Sequence, residues 1–401
     1  MHKYFLVFQM FLNISKPYIL VDSTRQALKD LAAFYLSRLQ LKVVGISGSV
    51  GKTSTKEIIA SVLSQKYKVH KTEGNFNNEI GLPLTIFKIR EEHQVAVLEM
   101  GISEFDEMHR LASISRPDIG VLTNIGLSHL KTLGSREGIL KAKTEMFDHL
   151  QDNAAVILNG DDDLLSTIPQ VQGRPPVFYG IGTDKPQNAV YSDKQIYATD
   201  IMNLGLKGIQ LHIHIADECF AARIPIPGTH NVYNALAAAA VGRQLGLSND
   251  EIRAGIETAR TIDGRTNLIE TGTMTVIDDC YNANPLSMKA SIDVLATALG
   301  RTVAVLGDMG DLGENERQLH YEVGSHLAAK GIDILFCAGR LVTELARAVQ
   351  DHNPKCEIHL FETRDEMLKE LLPFLRQGDS VLVKASHFME FSEVVEEIIT
   401  I

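Results

Sequence analysis

Apolar positions along this chain recur with two spacings. Between residues 23 and 39 they fall three and four apart, at Ala27, Leu28, Leu31, Ala32, Tyr35 and Leu36, and Ser23 stands where a helix cap is expected. Residues 41–46 form a short apolar run, followed by a glycine-rich turn and a helical pattern at 52–63. Short runs at 95–98 and 119–122 each end on polar residues, and residues 155–227 read as richer in strands, with alternation at 210–215. A helix at 231–245 follows the turn Pro227-Gly228-Thr229, and a second strand–helix series has its strands at 275–277, 302–306, 332–337 and 380–383. This alternation predicts an α/β fold: a parallel-sheet central domain, then a smaller Rossmann-like α/β domain. Ligands on such sheets sit beyond the carboxyl ends of the strands, where the polar residues fall. The expected segments are 1–40, 41–262 and 263–401, with no internal repeat.

Composition narrows the class. At 401 residues the chain exceeds one ordinary core, and its 45% hydrophobic and 22% charged content is that of a globular protein. A net charge of −11 argues against nucleic acid as the main partner, although backbone N–H groups and a few cations can still hold an anion locally. Cys219, Cys280, Cys337 and Cys356 are scattered and form no CxxC pair, which suits a reduced compartment. The apolar run at 5–12 is short, with no small-residue cleavage site after it, and reads as a buried strand or helix. No stretch reaches the roughly 18 apolar residues of a membrane span, so a cytoplasmic protein without stable membrane insertion is expected.

The chemistry starts at Gly45-Ile46-Ser47-Gly48-Ser49-Val50-Gly51-Lys52-Thr53-Ser54, which joins a strand to a helix. Glycines let the backbone wrap an anion, and the helix start adds positive potential. Lys52 suits the outer phosphates of a nucleotide and the Thr53 hydroxyl suits Mg²⁺, so ATP and Mg²⁺ are the expected cofactors of a phosphate-loop ATPase domain. The glycine spacing departs from the common loop: five residues lie between Gly45 and Gly51, and only two between Gly48 and Gly51. Glu99 ends the 95–98 run and suits a hard cation, or is an ordinary polar strand end. His129 follows the 119–122 run and suits a second metal position, or is structural; Lys143, read alone, is an exposed helical lysine. Asn75, Asn77 and Asn78 gather three amides that suit peptide or sugar groups, or Asx turns. Asp278-Asp279-Cys280-Tyr281-Asn282-Ala283-Asn284-Pro285 and Gly307-Asp308-Met309-Gly310-Asp311-Leu312-Gly313 each follow a strand of the second series. The latter lacks dinucleotide-type glycine spacing.

Taken together, Gly48 to Thr53, Asn75 to Gly81, Glu99-Met100-Gly101 and Asp278 to Pro285 resemble the Mur ligases from about Val21 onward, nearest to the branch that adds D-alanyl-D-alanine to a UDP-N-acetylmuramoyl-tripeptide. The resemblance implies an ADP-forming amide ligase of peptidoglycan synthesis, working through an acyl phosphate. It implies that Lys52 meets the β- and γ-phosphates, that Thr53 and Glu99 hold one Mg²⁺, and that His129 holds a second. Lys143 matches a lysine carbamoylated by CO₂ that helps hold that metal. Asn231 and Asn234 match the helix start that meets adenine, Arg265 an arginine brought to the γ-phosphate, and Asp279 and Tyr281 the segment near the ribose. Asn77 and Asn78, with Asn75, would face the UDP-linked muramoyl peptide, and Lys384 and Ser386 the dipeptide. The implied partners are these small molecules, for a monomer.

Two departures stand out. Lys384-Ala385-Ser386-His387 replaces the family's Lys-Gly-Ser-Arg, which makes the cation at 387 pH-dependent. Only 44 residues precede Gly45, where the family carries a whole UDP-binding domain, so residues 1–40 read as a shortened remnant of it. Rival readings are a related ligase with another carboxylate and amine pair, and a non-catalytic nucleotide-binding partner subunit.

Overall fold

The computed structural model describes residues 5–7, 18–181 and 196–401. Most of the apolar run at 5–12 therefore lies outside the described residues; Phe5–Val7 pairs in parallel with Tyr18–Leu20. The helix expected after it is Thr24–Ser37, capped by the Ser23 hydroxyl, which accepts from the Gln26 amide.

Two separate sheets organise the rest. The larger has nine strands, running across the sheet as Glu218–Ile224, Ile209–Ile215, Ile196–Asn203, Val177–Ile181, Ala155–Asn159, Ile119–Leu122, Lys42–Ser47, Val95–Glu99 and Val69–Lys71. Pairing is parallel from Val69–Lys71 to Ile196–Asn203 and antiparallel over the last three strands. Parallel strands covered on both faces need apolar residues in succession rather than alternation. Val95–Glu99 shows this: Val95 and Val97 join one buried cluster, Ala96 and Leu98 the other. Helices Lys52–Leu63, His230–Gln244 and Asn249–Glu257 cover the first face, and Thr24–Ser37, Glu107–Ser115 and Arg136–Thr144 the second. The alternation at Ile209–Ile215 belongs to the middle strand of the antiparallel end of the sheet, with one face turned outward.

The smaller sheet runs Asn267–Glu270, Thr275–Asp278, Ser380–Lys384, Thr302–Gly307, Ile334–Ala338 and Glu357–Phe361, parallel except at Asn267–Glu270. It carries two buried clusters of its own. Among the apolar side chains packed against the first of these, Leu127 and Leu206 come from the larger sheet's half of the chain. Strands Lys42–Ser47, Val95–Glu99 and Ile119–Leu122 point their carboxyl ends at one cleft, and Thr275–Asp278 and Ser380–Lys384 point theirs at the same cleft from the other side. Among the described residues no helix is long and apolar enough to cross a membrane.

Candidate active site

The cleft encloses about 990 Å³. Its floor is the turn between Lys42–Ser47 and Lys52–Leu63, which leaves the first N–H groups of that helix without intrahelical partners, aimed at whatever anion sits there. Gly51 closes the turn at φ 80°. Gly48 has φ 150°, and a Cβ there would lie 1.9 Å from Thr123 Oγ1. Gly48→Ala is expected to cost about 2–4 kcal/mol through clash and backbone strain, read as a drop in urea midpoint at unchanged slope.

The turn is clamped from the neighbouring strand. Asn124 accepts from the Ser49 amide through its carbonyl and from the Val50 amide through Oδ1, both at 3.0 Å. Thr123 Oγ1 donates to the Val50 carbonyl at 2.6 Å, and the Gly126 amide donates to Ser49 Oγ at 2.9 Å. Thr123 and Asn124 were not singled out from the sequence; their only signal there was their place just after a strand end. Lys52 folds back on its own loop, donating to the carbonyls of Gly48 at 2.9 Å and Ser49 at 3.4 Å. Burial lowers its ammonium pKa, Glu99 opposes that, and nearby Arg265 adds to it. Ser54 completes the floor.

Glu99 is 1% exposed. Its Oε1 accepts from Thr53 Oγ1 at 3.2 Å and Asn77 Nδ2 at 2.8 Å, while Oε2 has no hydrogen-bond partner among the described residues. An ordinary polar strand end would be wet, so the dry carboxylate favours the ligand reading. Lys56, another residue not picked out from the sequence, lies behind it, fully buried, with Nζ 3.6 Å from Oε2. Asn75, Asn77 and Asn78 line the cleft. Asn78 is also an Asx turn, its Oδ1 accepting from the Ile80 and Gly81 amides. Glu79 ties this loop down through Lys29 of the first long helix, at 3.2 Å, and Arg110.

His129 lines the cleft in a left-handed conformation, φ 59°. Burial, then the charges of Lys52 and Lys143, push its pKa down to about 4. Because that folded pKa lies below the unfolded value, the unfolded chain binds more protons between about pH 4 and 6.5, and this residue's contribution to stability falls as pH drops through that window. His129→Gln should therefore gain thermal stability on the parent as pH falls from about 6.5 to 4, and run parallel to it above 6.5. Curves parallel throughout would refute this.

The expectation of an exposed Lys143 is corrected: it is 2% exposed, and its ammonium has no hydrogen bond or ion pair among the described residues. The helix Arg136–Thr144 turns that position inward beside Ile139 and Ala142. Burial, then Lys52, lower its pKa well below the usual lysine range. Lys143 stands behind the cleft wall, next to Lys52 and His129.

The opposite wall comes from the smaller sheet. The Arg265 guanidinium stacks 4.0 Å over the Tyr281 ring, which in turn stacks on His387 at 5.5 Å between centroids. Asp279 is buried, accepting from the Thr266 amide at 3.0 Å, from Ser291 Oγ, and from Lys384 Nζ at 2.6 Å. Lys384 also donates to the carbonyls of Asp279 at 3.1 Å and Asn282 at 3.0 Å, so all three of its N–H donors are engaged within the wall. Ser386 Oγ accepts from the Gly310 amide at 2.8 Å and donates to the Ala283 carbonyl at 3.3 Å. Both line the cleft, but they shape its wall rather than present free donors.

Asn234 lines the cleft beside Gly51, its Oδ1 accepting from Thr55 Oγ1 at 2.8 Å and its Nδ2 donating to Asn231 Oδ1 at 2.9 Å. Asn231 does not reach the main cleft; it lies 1% exposed behind Asn234, facing a small side cavity with Arg265.

Residues 46–242 match the Mur ligase middle domain, and residues 264–387 match the Mur ligase, glutamate ligase domain. The UDP-N-acetylmuramoyl-tripeptide--D-alanyl-D-alanine ligase of Bacillus subtilis is 38% identical over 387 residues, covering 95% of this chain and 81% of that protein. The crystal structure of MurF from Acinetobacter baumannii superposes with a TM-score of 0.88 at 30% identity, over 99% of this chain and 84% of that one. MurF from Thermotoga maritima, solved in complex with ADP, gives 0.83 at 30% identity, over 98% and 88%. Sheets, cleft and relatives agree, and the chain belongs to the Mur ligase family.

Proposed function

We propose that this chain is an ATP-dependent, ADP-forming amide ligase that joins D-alanyl-D-alanine to a UDP-N-acetylmuramoyl-tripeptide in cytoplasmic peptidoglycan precursor synthesis. One observation carries the reading: Lys52 and Glu99 of the larger sheet face Arg265 of the smaller one across a single cleft, so three charged groups converge where a nucleotide's outer phosphates would lie. The names and ADP-bound structure of its relatives support it.

The substrate carboxylate attacks the γ-phosphorus, ADP leaves, and the dipeptide amine displaces phosphate from the acyl phosphate. Phosphoryl transfer asks for alignment and charge neutralisation rather than a protein nucleophile. Lys52 and the helix N–H groups cradle the β- and γ-phosphates, and Arg265, held flat by Tyr281, closes on the γ-phosphate. Asn234, backed by Asn231, meets adenine; Asp279 and Tyr281 form the ribose side. Asn75, Asn77 and Asn78 face the muramoyl peptide. The wall that Lys384 and Ser386 hold receives the dipeptide. The chain works as two lobes, 41–262 and 263–401, preceded by the segment 1–40, and excludes water from the acyl phosphate where they meet.

The donor set suits Mg²⁺. Thr53 Oγ1 and Glu99 Oε1 offer hard oxygens side by side at the cleft, and burial keeps the carboxylate dry. Thr53 and Glu99 would hold one ion, and His129 with carbamoylated Lys143 the other. A neutral buried amine is the form that would attack CO₂; with its N–H proton lost to solvent, the carbamate formed puts an anion where an ammonium would be crowded by Lys52. Bound Mg²⁺ neutralises charge on the phosphoryl oxygens.

ADP release measured with ATP, Mg²⁺ and each substrate alone or together tests the reading. Release should require both the UDP-muramoyl tripeptide and D-alanyl-D-alanine. Turnover indifferent to either would overturn it, and nucleotide binding without turnover would favour a non-catalytic partner subunit.

A further inference from the structure

Behind Glu99 a file of alternating charges runs from the fully buried Lys56 out to the partly exposed Lys71, and the proposed chemistry leaves it unused. Lys71 pairs with Glu57 Oε2, Glu57 Oε1 lies 3.3 Å from Lys56 Nζ, and Lys56 Nζ lies 3.6 Å from Glu99 Oε2. We propose that Lys56 is a positioning residue for the divalent cation of the nucleotide site, acting on Glu99 from behind. This rests on the assignment of Glu99 to that cation.

The geometry gives the Glu99 carboxylate a front and a back. Oε1 faces the cleft, where Thr53 and Asn77 donate to it. Oε2 faces inward, toward Lys56, its ion-pair partner among the described residues, and neither Oε2 nor Lys56 Nζ has a hydrogen-bond partner among them. Lysine is seldom fully buried without a paired role, and a packing need at this point of helix Lys52–Leu63 would be met by Met or Leu. Lys56 stands one helical turn after Lys52 and three residues after Thr53, so it shares their side of the helix. One short helix thus supplies the phosphate cation, the hydroxyl beside the carboxylate, and the charge that fixes the carboxylate's far oxygen. With Oε2 held, the carboxylate cannot swing its plane, and one oxygen stays presented to the cleft. Groups that orient a metal-holding side chain from behind commonly alter metal affinity by about 10–100-fold when removed.

The test measures ADP affinity by calorimetry in EDTA and with Mg²⁺, and Mn²⁺ binding to the ADP complex by EPR. In K56M the Mg²⁺-dependent gain in ADP affinity should shrink by about tenfold or more while affinity in EDTA stays within about twofold of the parent. K56R, which keeps the cation, should restore most of the gain. K56Q, too short to reach Oε2, should behave as K56M and carries the test should K56M not fold. A gain unchanged in both K56M and K56Q, or an equal loss with and without metal, overturns the proposal. Glu99→Gln separates the two levels: if it too leaves the gain intact, the assignment of Glu99 itself fails, whereas a lost gain in Glu99→Gln beside an intact one in K56M rejects Lys56 alone.

Discussion

Lys52→Ala should reduce ADP release by about 10³-fold, close to abolition, because it removes the cation of the phosphate loop itself. The half-buried lysine stands at the end of the phosphate loop, in a cleft largely withdrawn from water, and its ammonium would turn from the loop carbonyls to the phosphates. In that dry setting the interaction of one positive charge with the developing phosphoryl charge is weakly screened. Arg265 approaches from the other side of the cleft but is stacked on Tyr281 and, on the proposed reading, would meet a different oxygen. The variant should stay folded, since Lys52 bonds only to carbonyls of its own loop. A coupled ADP assay decides it, and turnover within about tenfold of the parent would sink the assignment.

Lys143 carries the second large effect. As a buried ammonium with no ion pair among the described residues, where burial and Lys52 outweigh the charge of Glu107, it is in the wrong charge state for its surroundings. Conversion to a carbamate, as proposed, would remove the repulsion and supply an oxygen donor near His129. Lys143→Ala should then lower turnover by about 10²–10³-fold, and a small carboxylic acid should restore part of it by filling the vacated space. Lys143→Arg is the sharper variant. If position 143 served as a cation, arginine would keep much of the activity; if it serves as a carbamate, arginine fails like alanine. ¹³C-labelled bicarbonate should give a carbamate NMR signal in the parent that both variants lack.

Strand ends, the phosphate loop and the long helices were legible in the sequence because each depends on neighbours a few residues away. Lys52–Leu63 and Ile119–Leu122 have the limits that periodicity and turn residues predict. What needed the fold was burial of charge. Lys143 and Lys56 look like ordinary helical lysines, since a helix pattern states which residues share a face but not what covers that face. The clamp from Thr123 and Asn124 was hidden for a related reason: it joins residues more than 70 positions apart, at 2.6–3.0 Å. Asn231 and Lys384 were picked out by motif, and the structure divides their motifs between atoms that face the cleft and atoms that support it.

The thin apolar contact between the halves of the chain has an engineering consequence. Each sheet closes its own clusters, and Leu127 and Leu206 are the side chains that lean across to the first cluster of the smaller one. Halves that each keep their own buried clusters are candidates for exchange. A chimera that keeps this nucleotide-binding half and takes residues 263–401 from a relative with another acceptor needs few compensating changes at the seam, and its choice of amine should travel with the transplanted half.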